Sequence, residues 1–162
     1  TDALRMALMV GNGPGNDLKL GEDKVKAYKL FANKIWNGAR FVLDRTVDFE
    51  STNVPFTEED KATYDAWRVI HSDITSDLEH YRLHLASEKI YDYFWKTFCD
   101  EIIETRKVRI DAGNDKESAQ LLLFTLLREL IITLHPFMPF VTEEIWKYIK
   151  KENDDLLMIT RW

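Results

Sequence analysis

Residues 22 to 44 carry Val25, Tyr28, Phe31, Ile35, Ala39 and Val42 three or four positions apart, so all six share one face of a long helix. An apolar stripe of that length has to be covered, and the periodicity recurs along most of the chain, so helices must cover one another. Thr57 followed by Glu58, Glu59 and Asp60 opens a second long helix to about residue 83, its acids complementing the helix dipole. A third is predicted over about 86–110, and a fourth from the pair Asn114 and Glu117, spaced as a capping box, to His135 before Pro136. Shorter helices are predicted over 2–10, capped by Thr1, and over 141–151, while the tail LLMITRW at 156–162 reads as extended. No segment alternates as a strand would. The fold class that follows is all-α, an antiparallel helix bundle, with Phe31, Ile35, Phe94, Phe98, Leu127, Leu130 and Trp146 in its core.

A chain of 162 residues, 45% hydrophobic and 31% charged, is enough for one domain with a short appendage. No apolar run approaches the ~20 residues that cross a bilayer, and the first residues are not those of a signal peptide. The single cysteine, Cys99, forms no internal disulfide and suits a reducing, cytoplasmic location. Starting at Thr1 without a methionine, the chain reads as an excerpt of a longer protein. A net charge of −6 argues at first against a nucleic-acid partner. Locally the sign reverses: residues 22–45 balance to +3, whereas 46–104 balance to −9.

Motifs for catalysis are weak. GNGPG at 11–15 lacks the Lys-Ser or Lys-Thr of a phosphate loop and reads as a turn. His80 and His84 have the spacing of paired metal ligands without a third ligand, and read as exposed histidines. Cys99 sits among aromatic residues and reads as a small buried hydrophobe. Glu143 and Glu144 point about 100° apart, which suits a helix start and not an acid and base pair. No catalytic residue and no metal ligand is assigned.

The long first helix has a second face. Lys26, Lys29, Asn33, Asn37 and Arg40 fall within a wedge of roughly 80° at 100° per residue. Ammonium and guanidinium groups there suit phosphates, the two amides suit base edges, and Phe41 beside them offers a stacking platform. The same pattern also suits a plain solvated face with Phe41 packed on a neighbouring helix.

Four ordered motifs resemble class I aminoacyl-tRNA synthetases. TDALRMALM at 1–9 resembles the segment leading out of their catalytic domain, and FANKIWNGARFVL at 31–43 the first helix of the anticodon-binding domain in the valyl, isoleucyl and leucyl group. DYFWKTFCDEIIE at 92–104 and LHPFMPFVTEEIW at 134–146 are most similar to the valyl enzymes. The resemblance spans nearly the whole chain and implies a connector over 1–21, a helical anticodon-binding domain over 22–152 and a C-terminal tail over 153–162. It implies that Lys26, Lys29, Asn33, Lys34, Asn37, Arg40 and Phe41 meet the anticodon arm of a tRNA, tRNA(Val) in particular. Asp23 departs from the basic residue that some relatives carry at the helix start. By the same resemblance the parent is a monomeric valine-tRNA ligase using ATP and Mg²⁺ in a catalytic domain of the same chain, while this segment holds no cofactor and no catalysis. The rival readings are a helical protein-interaction module without RNA affinity and a metal-binding bundle enzyme.

Overall fold

The computed structural model describes all residues except 12, 14, 16, 18, 19, 50–53, 151–154, 161 and 162. Its elements are α1 (Asp2–Met9), α2 (Glu22–Arg45), α3 (Glu58–Glu79), α4 (Leu83–Asp92), a π-helical stretch (Tyr93–Ile102), α5 (Ile103–Ala112), α6 (Lys116–Leu134), α7 (Pro139–Ile149) and a 3₁₀ turn (Leu157–Ile159). No strand occurs among the described residues. The two junctions flanking the π stretch keep right-handed helical backbone, so residues 83–112 form one continuous helix.

Side-chain pairings give the directions. Tyr28 meets Tyr91, Phe31 meets Phe94 and Lys34 meets Asp100, so α2 runs parallel to the 83–112 helix. Asp60 meets Arg106 and Asp77 meets Lys89, so α3 runs against it. With α6 returning beside α3, from the Ser118 contact with Asp60 to that of Glu129 with Tyr64 and Trp67, neighbours along the chain alternate in direction. That is an antiparallel bundle.

The apolar stripe of α2 lies inward, with Tyr28, Phe31, Ile35, Ala39 and Val42 buried and Val25 at the margin. Phe94, Phe98, Leu127, Leu130 and Trp146 complete the predicted core, all buried. The π stretch differs from the regular helix that periodicity implied. Within it the consecutive residues Tyr93 and Phe94 are buried against different neighbours, Trp67 of α3 and Phe31 of α2, with ring centroids 4.6 and 5.9 Å apart. Gly38 of α2 faces this stretch, where an added Cβ would lie 3.3 Å from Cys99 Sγ and 3.6 Å from Phe94 Cζ. The glycine permits the close approach.

The helix ends agree in part with expectation. Thr57 caps α3, its Oγ1 accepting from the Asp60 amide at 3.2 Å, a bond worth about 1 kcal/mol. Thr1 makes no side-chain cap, and α6 is preceded by Asp115 in left-handed backbone instead of an Asn114 and Glu117 capping box. Gly113, at φ +73°, has already turned the chain, and the Asn114 amide donates back to the Arg109 carbonyl at 3.0 Å, so Asn114 belongs to the end of α5. Nor do Glu143 and Glu144 serve the start of α7, because that helix begins at Pro139. Asp2 serves it, accepting from the Phe140 and Val141 amides at 3.1 and 2.7 Å, while Arg5 donates to the Pro136 carbonyl at 3.0 Å. The TDALR and HPFMPF runs thus touch. The tail is not extended throughout, since Leu157 is buried in the 3₁₀ turn and its amide donates to Glu143 Oε1 at 3.1 Å. The GNGPG turn lies partly outside the described residues; Gly11 and Gly15 adopt positive φ, as a turn requires.

Candidate functional site

The face of α2 opposite its apolar stripe is open. Lys26, Lys29, Asn33, Asn37 and Arg40 are all exposed along it, with Leu30, 61% exposed, among them. The side chains of Lys29, Asn33, Asn37 and Arg40 make no hydrogen bond or ion pair with any described residue. Lys26 is loosely held, its ammonium 3.6 Å from both Glu22 and Asp23 in contacts open to water.

Lys34 and Phe41 sit on the flank, turned toward the 83–112 helix. Lys34 Nζ donates to Asp100 Oδ1 at 2.8 Å and lies 5.5 Å from the Trp95 ring centre. Burial alone would lower its pKa, but the bond to Asp100 raises it above the ordinary lysine value. Phe41 is half-buried under two cations, Arg45 and Lys107, 5.4 and 5.9 Å from its ring centre, and Arg45 is itself paired with Asp111.

The other flank meets α7, which runs parallel to α2, and two hollows follow the seam. One, of about 460 Å³, lies between Lys26, Lys29 and Asn33 and the exposed ring of Phe140. The second, of about 320 Å³, lies further along, where Trp36 meets Tyr148 edge to face beside Arg40. Sequence reasoning missed Trp36, Phe140 and Tyr148. Trp36 falls on the border between the apolar and polar faces of α2, and Phe140 and Tyr148 lie off the buried line of Thr142, Ile145, Trp146 and Ile149 on α7. That misfit was the available signal; the pairing across more than a hundred residues was not.

Elsewhere the chemistry is muted. Burial pushes the Cys99 thiol up to about 12, which leaves it protonated and inert. His80 is exposed, with Nδ1 2.7 Å from the Ser76 carbonyl, whereas His84 is half-buried beyond a break at Tyr81, whose φ is +59°. The two therefore share no helix face. No cluster of metal-binding side chains occurs among the described residues.

Residues 60–162 match the family model described as the anticodon-binding domain of tRNA ligase. The chain belongs to this family. It is also similar to the valine-tRNA ligases of Petrotoga mobilis (38% identical over 100% of this chain and 19% of the relative), Geobacter sulfurreducens (39%, over 91% and 17%) and Clostridium perfringens (34%, over 98% and 19%). The chain thus spans less than a fifth of the length of these relatives. The family match begins after α2, but the similarity to the Petrotoga ligase covers the whole chain and so includes the exposed face of α2. No described helix is long and apolar enough to cross a membrane.

Proposed function

We propose that this anticodon-binding domain grips the anticodon arm of a tRNA, tRNA(Val) in particular, with the exposed face of α2. The observation that carries the reading is the row of uncommitted polar groups: Lys29, Asn33, Asn37 and Arg40 are exposed on one face and bonded to no described residue. Lys29 and Arg40 neutralise phosphates, Asn33 and Asn37 meet bases of the single-stranded loop, and Lys26 adds a cation at the end of the row. Lys34 and Phe41 support the flank, where a base that reaches over the helix meets them. In a protein of net charge −6, such a positive face orients an RNA by contrast with its surroundings.

In this reading residues 1–21 connect to a catalytic domain, 22–152 hold the tRNA and 153–162 form a tail, within a monomeric, cytoplasmic valine-tRNA ligase that uses ATP and Mg²⁺. The catalytic groups lie outside these residues, so the isolated chain is expected to show only background amino-acid-dependent pyrophosphate exchange. The test of the RNA reading is made in the full-length protein with a tRNA(Val) transcript. Asn37→Ala is expected to cost ~1 to 3 kcal/mol of binding and to relax discrimination against an altered anticodon. Wild-type affinity for both transcripts in Lys29→Ala, Asn37→Ala and Arg40→Ala alike would leave this face a solvated surface and favour a protein-interaction module.

A further inference from the structure

The hollow at the α2–α7 seam combines features that the exposed row of α2 lacks. Trp36, Leu43, Ile145 and Tyr148 give it carbon walls, and Arg40 and Asp44 are its charged members. Trp36 and Tyr148 are 38% and 61% exposed, with ring centres 6.4 Å apart and planes at 82°. Perpendicular rings make a corner in which a flat guest stacks on one face and meets the edge of the other. The side chains of Arg40 and Asp44 bond to no described residue. A volume of about 320 Å³ is in the range of small-ligand sites.

We propose that this hollow binds one unstacked nucleobase of the RNA loop, and that Asp44 selects a base presenting an amino group. The proposal rests on the RNA-binding reading above and adds to it a pocket on which that reading does not depend. Continuity favours a nucleobase over an apolar protein side chain. Arg40 belongs both to the exposed row and to the hollow, so a phosphate held by Arg40 brings the base attached to it to the mouth of the hollow. The bare carboxylate points the same way, because an apolar guest would leave Asp44 desolvated without a partner, whereas the exocyclic amine of adenine, cytosine or guanine donates to it. Uracil has no exocyclic amine and offers Asp44 only its ring N3–H, so it is held less well than the other three.

The test uses the full-length protein and tRNA(Val) transcripts carrying 8-azidoadenosine, which keeps the amino group, at single positions of the anticodon loop. Irradiation is expected to attach one loop position to the peptide containing Trp36 or Tyr148. Tyr148→Ala is expected to bind the unmodified transcript roughly 5- to 150-fold more weakly with unchanged thermal melting, and Tyr148→Phe nearly as wild type. Asp44→Asn, whose amide donates to a carbonyl as readily as it accepts from an amine, is expected to lose most of the preference against uracil at the attached position. If the wild-type protein binds the transcript yet no adduct forms on either peptide, or Tyr148→Ala binds as wild type, the pocket is overturned and the anticodon-arm reading survives. Failure of the wild-type protein to bind the transcript at all overturns both.

Discussion

Arg106 and Arg109 of α5 and Lys29 and Arg40 of α2 are cations in one small domain, and they are used in opposite ways. Asp60, fully buried, accepts from Arg106 Nε at 2.9 Å, from both terminal nitrogens of Arg109 at 2.8 and 3.0 Å, and from Ser118 Oγ at 2.6 Å. Glu59 takes a further contact from Arg106 at 3.0 Å. Those arginines are spent holding α3, α5 and α6 together. The α2 pair is offered to water and bonds to nothing described. Counting charge along the sequence cannot separate the two cases; only the partner across the bundle does. Cations left available to a partner are therefore recognised by what they fail to touch, more than by how many there are.

The largest effect that would sharpen this contrast is loss of the buried carboxylate. Asp60→Ala strands two guanidinium groups in the interior and is expected to destabilise the chain by about 3 to 5 kcal/mol, read as a lower urea midpoint at unchanged slope. Burial alone would raise the Asp60 pKa, but bonds from Arg109, Ser118 and Thr57 and the charge of Arg106 hold it below the ordinary carboxylate value. A depressed folded-state value means that this contribution is present above the unfolded value of about 3.9 and is lost as pH falls through the folded one. Acid titration of stability should show this loss in the wild type and lack it in Asp60→Asn. An Asp60→Ala chain with an unchanged midpoint would mean that the cluster is ornamental, and the contrast with α2 would collapse.

Next in size is Arg40→Ala, which removes a side chain that holds nothing within the domain. Melting should stay as wild type, while affinity of the full-length protein for the tRNA(Val) transcript falls and the slope of log affinity against log salt becomes shallower by about one counterion. Lys29→Ala should behave alike. Loss of stability without loss of RNA binding in either variant would put these cations in the same class as Arg106.

How much of this was legible beforehand differs between the two regions. The stripe Tyr28, Phe31, Ile35, Ala39 and Val42 was readable because burial repeats with the helical period, and so was the polar row opposite it. The Asp60 cluster was not, because Thr57, Glu58, Glu59 and Asp60 look alike as a helix start, and only the register of α3 against α5 turns Asp60 inward. Lys34 and Arg40 illustrate the same limit on one helix: both lie near the polar wedge, yet Lys34 meets Asp100 and Arg40 meets no described residue. The Trp36 and Tyr148 hollow depends on two helices far apart in sequence, which no local period reports.

The smallest effect concerns Lys26, which lies between the two classes. It is exposed in the row of α2 yet stands 3.6 Å from Glu22 and from Asp23, so its charge is shared before any phosphate arrives. Contacts this open to water add little to folding, and Lys26→Ala should leave the melting curve where it is. On RNA its loss should cost less than that of Lys29, because a phosphate that recruits Lys26 must first draw it from two carboxylates that also repel the phosphate. The converse variant isolates that restraint. Glu22→Gln combined with Asp23→Asn should tighten binding of the full-length protein a few-fold at low salt, and the gain should vanish at high salt, where such exposed charges are screened. With the carboxylates gone, Lys26→Ala should then cost about as much as Lys29→Ala. If Lys26→Ala already equals Lys29→Ala in the unaltered protein, the acidic helix start exerts no restraint, and Lys26 joins the uncommitted cations outright.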